Sequence, residues 1–149
     1  SYSPKLQQIV KQCHKYLKQG DFMTAIDTLV LLSLFQLKHF IADYPLQTIK
    51  MVREKGVYGK RGGIYHALIH AVLTFLMLGL VNYVLFPVPY TLAFGIAALE
   101  FLIHYHIDWS KMQMSKRFST EDKGFWNWIG FDQLLHHLTY IGFVWIFIR

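Results

Sequence analysis

Four long apolar stretches, separated by short polar or turn-forming segments, constrain the fold of this chain more than any other feature. They cover residues 22–44, 64–85, 90–109 and 128–148. Each is close to the roughly 20 residues that a helix needs to cross a bilayer. Only 16% of the residues are charged, well below the roughly 25% that is usual in soluble domains. The sequence therefore predicts an all-α membrane protein, built as an antiparallel bundle of four transmembrane helices.

Helix-breaking residues set the expected ends of these helices. Asp21 can cap the first helix, and Pro45 ends it because the residue before a proline resists helical geometry. Residues 86–89 form a tight turn without charge between the second and third helices. Basic loops separate the first helix from the second and the third from the fourth.

The first residues of the chain predict a further helix of a different kind. In residues 3–19, apolar side chains recur at helical spacing and lysines fill much of the opposite face. Such a basic amphipathic helix is typical of one that lies on a membrane surface, and docking on a partner protein is an equally good interpretation. We therefore expect an interfacial helix in residues 1–20 and a four-span bundle with a polar site in residues 21–149.

The positive charge of the chain is explained by membrane topology. The formal net charge is +6, and lysine and arginine residues flank membrane helices and contact anionic lipid headgroups. No basic stripe is interleaved with aromatic residues, so nucleic-acid binding is not expected. More lysine and arginine residues fall in the two basic loops than on the opposite side, which favours a cytoplasmic location for these loops.

Each apolar stretch also carries a pair of metal-capable side chains four residues apart. The pairs are His39 with Asp43, His66 with His70, His104 with Asp108, and Asp132 with His136. Residues at this spacing lie on one face of a helix. Ionisable groups inside membrane helices are costly enough to require a role. Each pair is therefore a candidate chelating arm.

An up-down topology places all four pairs at one depth, near the basic loops. The outer layer, nearer the loops, consists of Asp43, His66, Asp108 and Asp132. The inner layer, about 6 Å deeper at about 1.5 Å rise per residue, consists of His39, His70, His104 and His136. This pattern predicts a metal site, although hydrogen-bonded core histidines and a proton relay are alternatives.

The donor set indicates which metals would bind. Imidazole and carboxylate without sulfur suit zinc, iron or manganese. Eight donors exceed what one tetrahedral ion uses, and a two-metal hydrolytic site would use most of them. We therefore expect one or two divalent transition-metal ions as cofactors.

Several neighbouring residues are candidates for supporting or catalytic roles. Glu100 lies one turn deeper than His104 and could be a ligand or a general base, or else form a salt bridge or remain protonated. Glu100 and Asp132 are the candidate catalytic carboxylates. Residues positioned to orient ligands through hydrogen bonds are Gln47, Gln133 and Tyr140.

The sequence around the pairs resembles a known family. The segments are HFIADYPLQ at residues 39–47, HALIH at 66–70, HYHIDWSK at 104–111 and DQLLHH at 132–137. Together they resemble the small bacterial and phage membrane proteins grouped as domain of unknown function 3307. The resemblance covers roughly residues 28–149 and implies a four-span protein with a His/Asp site in a bacterial inner membrane or a phage-infected host membrane. The pattern is also similar to that of membrane-bound metal-dependent hydrolases.

Two functions fit these observations. The first is a metal-dependent hydrolase that acts on a lipid-linked or phosphate-bearing substrate at the membrane surface, where basic loop residues attract an anionic headgroup. The second is a non-enzymatic accessory subunit with a structural metal or with a His/Asp site for ions or protons, docked on a larger assembly through residues 3–19. Few polar residues lie beyond the paired residues, which counts against a transport path across the membrane.

Overall fold

The computed structural model of the chain describes residue 3 and residues 23–148. This part of the chain forms five helices and contains no strand. They are α1 (Ala25–Asp43), α2 (Ile49–Glu54), α3 (Arg61–Val84), α4 (Tyr90–Ser115) and α5 (Lys123–Ile148). The predicted amphipathic helix lies outside the described residues apart from residue 3, and so does Asp21.

A capping box fixes the start of α1. The hydroxyl of Thr24 accepts the N–H of Asp27 at 3.0 Å, and the carboxylate of Asp27 accepts the N–H of Thr24 at 3.0 Å. This reciprocal pair satisfies two free N–H groups of the first turn. α1 thus begins three residues after the predicted start at about residue 22, which itself lies outside the described residues. Its end at Asp43 lies one residue from the predicted one, just before Pro45.

The four long helices form a ring in which α1 and α4 are each flanked by α3 and α5. Neighbouring helices run in opposite directions, since His66 contacts Asp108 while Thr74, further along α3, contacts the earlier residue Glu100 of α4. The connection of residues 85–89 between α3 and α4 is short, as is typical of antiparallel neighbours. The predicted all-helical architecture is confirmed.

The bundle is apolar outside and partly polar inside. Leu29, Phe40, Leu76 and Phe94 are each more than half exposed, whereas His70 is fully buried. This distribution suits a lipid environment, in which apolar side chains face the lipid and polar groups must find their hydrogen-bond partners inside the protein.

Within the described residues, α1, α3 and α4 are long and apolar enough to cross a membrane, which indicates membrane association. α5 is as long as α4, at 26 residues, but its first part carries Asp132, Gln133 and two histidines. A fourth crossing by α5 stays a prediction.

Apolar packing fills the half of the bundle away from the basic loops. Leu31, Leu78 and Ile96 are buried there, and the ring of Phe35 stacks on that of Tyr140 with centroids 5.1 Å apart. Because this core closes one half of the interior, the buried acids, bases and lysines gather in the other half.

The first basic loop is folded over the mouth of the bundle. It contains α2, which the sequence did not predict because six residues are too few to show a helical period. The carboxylate of Glu54 accepts the N–H of Gly62 at 2.8 Å. Gly59, with a φ of 78°, donates its N–H to the hydroxyl of Tyr105 at 2.7 Å. These contacts hold the loop against α3 and α4.

Three loop-side helix ends also differ from the predicted ones. α3 begins at Arg61 rather than Ile64, α4 ends at Ser115 rather than Trp109, and α5 begins at Lys123 rather than Trp128. The predicted bounds followed the apolar stretch, whereas the helices continue through polar residues at its loop-side end.

Candidate metal centre

All four predicted pairs meet in the loop-side half of the bundle, two residues from each long helix. We call them the His/Asp cluster: His39, Asp43, His66, His70, His104, Asp108, Asp132 and His136. Seven of them are at most 4% exposed, and only Asp43 is partly accessible, with 14% of its side chain exposed. The antiparallel topology thus brings together every metal ligand that the sequence predicted.

The four deeper histidines form a ring of imidazoles across the bundle. Going around the ring, the centroids are 5.2 Å apart for His39–His70, 3.6 Å for His70–His104, 4.2 Å for His104–His136 and 5.0 Å for His136–His39. Each long helix contributes one ring. This arrangement matches the inner layer predicted from the sequence.

The carboxylate of Asp43 faces two different sides of the His/Asp cluster. Its Oδ1 lies 3.2 Å from Nε2 of His66 and 3.0 Å from Nε2 of His70. Its Oδ2 lies 3.2 Å from Nε2 of His39. One carboxylate therefore connects ligand atoms on α1 with ligand atoms on α3.

Asp108 spans the cluster in a similar way. Its Oδ2 lies 3.3 Å from Nε2 of His66 and 3.6 Å from Nε2 of His104, while its Oδ1 lies 3.7 Å from Nε2 of His136. Nε2 of His136 is also 3.5 Å from Oδ1 of Asp132. Asp43 and Asp108 are thus both placed like carboxylates that bridge two centres.

These separations agree with those of ligands around a common ion. Ligands bound at about 2.0–2.1 Å around a tetrahedral zinc ion are about 3.3 Å apart. Nε2 of His66 and Nε2 of His104 face each other at 3.2 Å. The buried Nε2 atoms of His39 and His136 have no hydrogen-bond partner, a costly state for a buried polar atom. Cations held between these residues would satisfy the nitrogens, one between His66 and His104 and one between His39 and His136.

Three overlapping groups of donors have the spacing of a metal site. They are Asp43, His66, His70 and His104; His39, His104 and His136; and Asp108, Asp132 and His136. Within each group the ligand atoms lie within 4.8 Å of one another. Because His104 and His136 each belong to two groups, the cluster fits one ion or two adjacent ions.

Three lysines lie against acids of the site, in pairings that the sequence did not predict. Nζ of Lys55 is 3.1 Å from Oδ2 of Asp108, and Nζ of Lys111 is 3.6 Å from Oδ2 of Asp132. Lys38 pairs with Glu100. A buried partner for Lys38 could have been predicted from the sequence, because a lysine in the middle of an apolar stretch needs one.

Glu100 lies below the His/Asp cluster, and its contacts favour one of the alternatives considered for it. Of the roles as ligand, general base, salt-bridge partner or protonated acid, the salt bridge with Lys38 is present. Glu100 also accepts hydrogen bonds from Thr74 and from the hydroxyl of Tyr140, the latter at 3.0 Å. Oε1 of Glu100 is 3.8 Å from Nδ1 of His70, so it faces the back of that ring.

The three residues predicted to orient ligands all reach the site. The Tyr140 hydroxyl lies 2.8 Å from Nδ1 of His39, and Nε2 of Gln133 donates to Asp132 at 3.2 Å. Gln47 acts through Lys55, whose ammonium group donates to the Gln47 Oε1 at 2.9 Å.

The comparisons with known proteins give one match. A family described as "Protein of unknown function (DUF3307)" matches residues 30–148, a range that contains the entire His/Asp cluster. The chain has no match among the curated proteins and none among the solved structures.

Proposed function

The chain belongs to the DUF3307 family, and we propose that it is an integral membrane protein that binds one or two divalent transition-metal ions and hydrolyses a lipid-linked or phosphate-bearing substrate at the membrane surface. One observation carries the proposal: eight imidazole and carboxylate side chains from four helices converge at ligand-like separations inside the bundle. Zinc, iron and manganese suit this donor set.

The two spanning carboxylates support a dinuclear centre. Asp43 turns one oxygen to His66 and His70 and the other to His39. One oxygen of Asp108 likewise faces His66 on α3, and the other faces His136 on α5. In two-metal hydrolytic sites the ions are about 3.5–4 Å apart and share such ligands. We therefore favour two ions over one.

Hydrolysis follows from what such a centre supplies to a phosphate ester. Bound divalent ions polarise phosphoryl oxygens and provide hydroxide near neutral pH. Asp132 lies on the loop side beside Lys111, whose side chain is 16% exposed, and is the candidate catalytic carboxylate. When Asp108 and Asp132 bind metal, the ammonium groups of Lys55 and Lys111 become available to attract an anionic headgroup.

The proposed location follows from charge and apolarity. α5 would be the fourth span, with the basic loops and the metal centre toward the cytoplasm, because lysine and arginine concentrate in these loops. The membrane would be a bacterial inner membrane or that of a phage-infected host. The segment of residues 3–19 would lie on the membrane surface or dock a partner.

A second candidate function is favoured by the burial of the cluster. Seven of its residues are at most 4% exposed, and the folded first loop covers its mouth. In structural metal sites the protein fills every coordination position, whereas catalytic sites keep one open. The chain would then be a non-enzymatic accessory subunit in which the metal stabilises the bundle.

Elemental analysis of the purified protein tests the metal site that both candidates share. We expect one to two transition-metal ions per chain, and their loss in H70A and D108A. His106→Ala is the matched control, because His106 is exposed and contacts Tyr58 rather than the cluster. Wild-type protein without metal above background would refute both proposals.

Activity then separates the two candidates. Metal-loaded protein in detergent micelles is assayed with p-nitrophenyl phosphate and with phosphatidic acid, and the hydrolase proposal expects phosphate release that D132N abolishes. Bound metal without release from either substrate would favour the accessory subunit.

A further inference from the structure

A second group of buried polar side chains lies directly beneath the His/Asp cluster. We call it the Glu100 network: Lys38, Thr74, Glu100 and Tyr140. Each of these residues is at most 5% exposed, and they come from all four long helices. Charged groups at such depth are costly in a membrane bundle unless they are paired and serve a purpose.

Glu100 accepts hydrogen bonds from every other member of the network. Lys38 and Tyr140 donate to its Oε1, and Thr74 donates to its Oε2. The Lys38 ammonium group balances the charge of the carboxylate. Both carboxylate oxygens of Glu100 thus accept hydrogen bonds from these three donors, and neither is directed at a metal ion.

Tyr140 connects this carboxylate to a candidate metal ligand. Because the Tyr140 hydroxyl donates its proton to Glu100, its oxygen is left as an acceptor. It accepts from Nζ of Lys38 at 3.2 Å and from the N–H of His39, whose Nδ1 lies 2.8 Å away. A neutral imidazole carries one proton, so Nε2 of His39 then presents a lone pair. That atom has no hydrogen-bond partner and lies 3.2 Å from Oδ2 of Asp43. A lone pair and a carboxylate oxygen repel at this distance unless a proton or a metal ion lies between them, and a bound metal ion would take this place.

We propose that Glu100 is a positioning residue that acts through Tyr140 to fix the tautomer and orientation of His39, so that Nε2 of His39 faces the metal. Lys38 is the buried counter-charge of Glu100. The inference rests on the proposed function, since it assigns the network to the proposed metal centre. Partners of this kind behind a histidine ligand raise its basicity and hold its ring in place. This positioning role replaces the roles as metal ligand and general base that the sequence suggested for Glu100.

Tyr140→Phe tests the connection with a change of one atom. Co²⁺ is the probe, because its visible absorbance reports both affinity and ligand geometry. We expect Y140F to bind Co²⁺ about 10-fold to 100-fold more weakly than wild type, the usual effect of losing such a partner, with an altered visible spectrum. Tyr105→Phe is the control, since that buried hydroxyl accepts the N–H of Gly59 and contacts no cluster residue in its hydrogen bond.

Thr74→Val provides a second variant that leaves the tyrosine and the ion pair in place. It removes one of the three donors to Glu100, and we expect a weaker loss of Co²⁺ affinity in the same direction. Thr139→Val is its control, because the Thr139 hydroxyl donates to the carbonyl of Leu135 within its own helix.

The outcomes separate this inference from the proposed function. Wild-type protein that binds no Co²⁺ would overturn both. Wild-type binding with unchanged affinity and spectrum in Y140F and T74V, or with equal losses in the two control variants, would overturn the inference alone. Selective loss in Y140F, with metal-free thermal stability no lower than that of Y105F, would support it.

Discussion

Nζ of Lys55 lies 3.1 Å from Oδ2 of Asp108, an oxygen that also faces Nε2 of His66 at 3.3 Å. Lys55 follows α2 in the folded loop, so a cation from outside the bundle neutralises an acid of the His/Asp cluster. An ammonium group and a metal ion compete for the same carboxylate. The loop is therefore coupled to the proposed metal centre through this contact.

Lys55→Met is expected to tighten metal binding. Removing the ammonium group leaves the carboxylate of Asp108 without a competing cation, and we expect a gain in Zn²⁺ affinity of at least about five-fold, because both residues are buried and water screens their charges only weakly. Competition titration with a chromogenic chelator measures it. Lys50→Met is the control, since Lys50 is exposed in the same loop. Unchanged or weaker binding in K55M would show that Lys55 does not compete with the metal.

Lys38→Met is expected to destabilise the protein more than the double variant K38M/E100Q does. The single change leaves the Glu100 carboxylate buried without its counter-charge, and breaking a buried pair in this way costs about 3–5 kcal/mol. The double variant removes both charges and should recover a large part of that cost. Thermal unfolding of the four proteins of this cycle in detergent gives the coupling between the two residues. Additive effects would mean that the ion pair contributes no coupling.

The composition of the His/Asp cluster could be predicted because two simple rules apply to it. Residues four apart share a helix face, and antiparallel spans bring the loop-side ends of all helices to one level. Asp43, His66 and Asp108 therefore meet as expected, although they come from three helices. The apolar stretches also predicted the long helices, because a helix that crosses a bilayer must be long and apolar.

The parts that escaped prediction depend on contacts between distant residues. Lys55 reaches Asp108 only because the loop folds over the bundle, and a lysine in a basic loop is ordinarily explained by membrane topology. The helix ends at Ser115 and Lys123 lie in polar sequence, where apolarity gives no signal. That Glu100 pairs with Lys38 depends on the rotation of two helices about their axes, which spacing alone does not determine.

Gly62→Ala is expected to loosen the folded loop. A Cβ at this position would lie 2.8 Å from Cβ of Glu54 and 3.1 Å from the carbonyl oxygen of Lys50, so α2 would have to move away from α3. Overpacking of this kind costs ~1–3 kcal/mol. Hydrogen exchange of the residue 48–60 amides measures the effect. In the matched variant G79A the added methyl group meets open space, and equal exchange rates in G62A and G79A would contradict the prediction.

Cysteine labelling is expected to place both basic loops on one side of the membrane. The native Cys13, the only cysteine, is first replaced by serine, and single cysteines are introduced as K60C, S119C and L85C. If α3 and α4 each cross the membrane, a membrane-impermeant maleimide labels K60C and S119C from the cytoplasmic side of inverted vesicles. L85C, in the turn between α3 and α4, is labelled from the opposite side. Labelling of K60C and S119C from different sides would exclude the bundle topology, because α3 and α4 together must return the chain to the side from which it started.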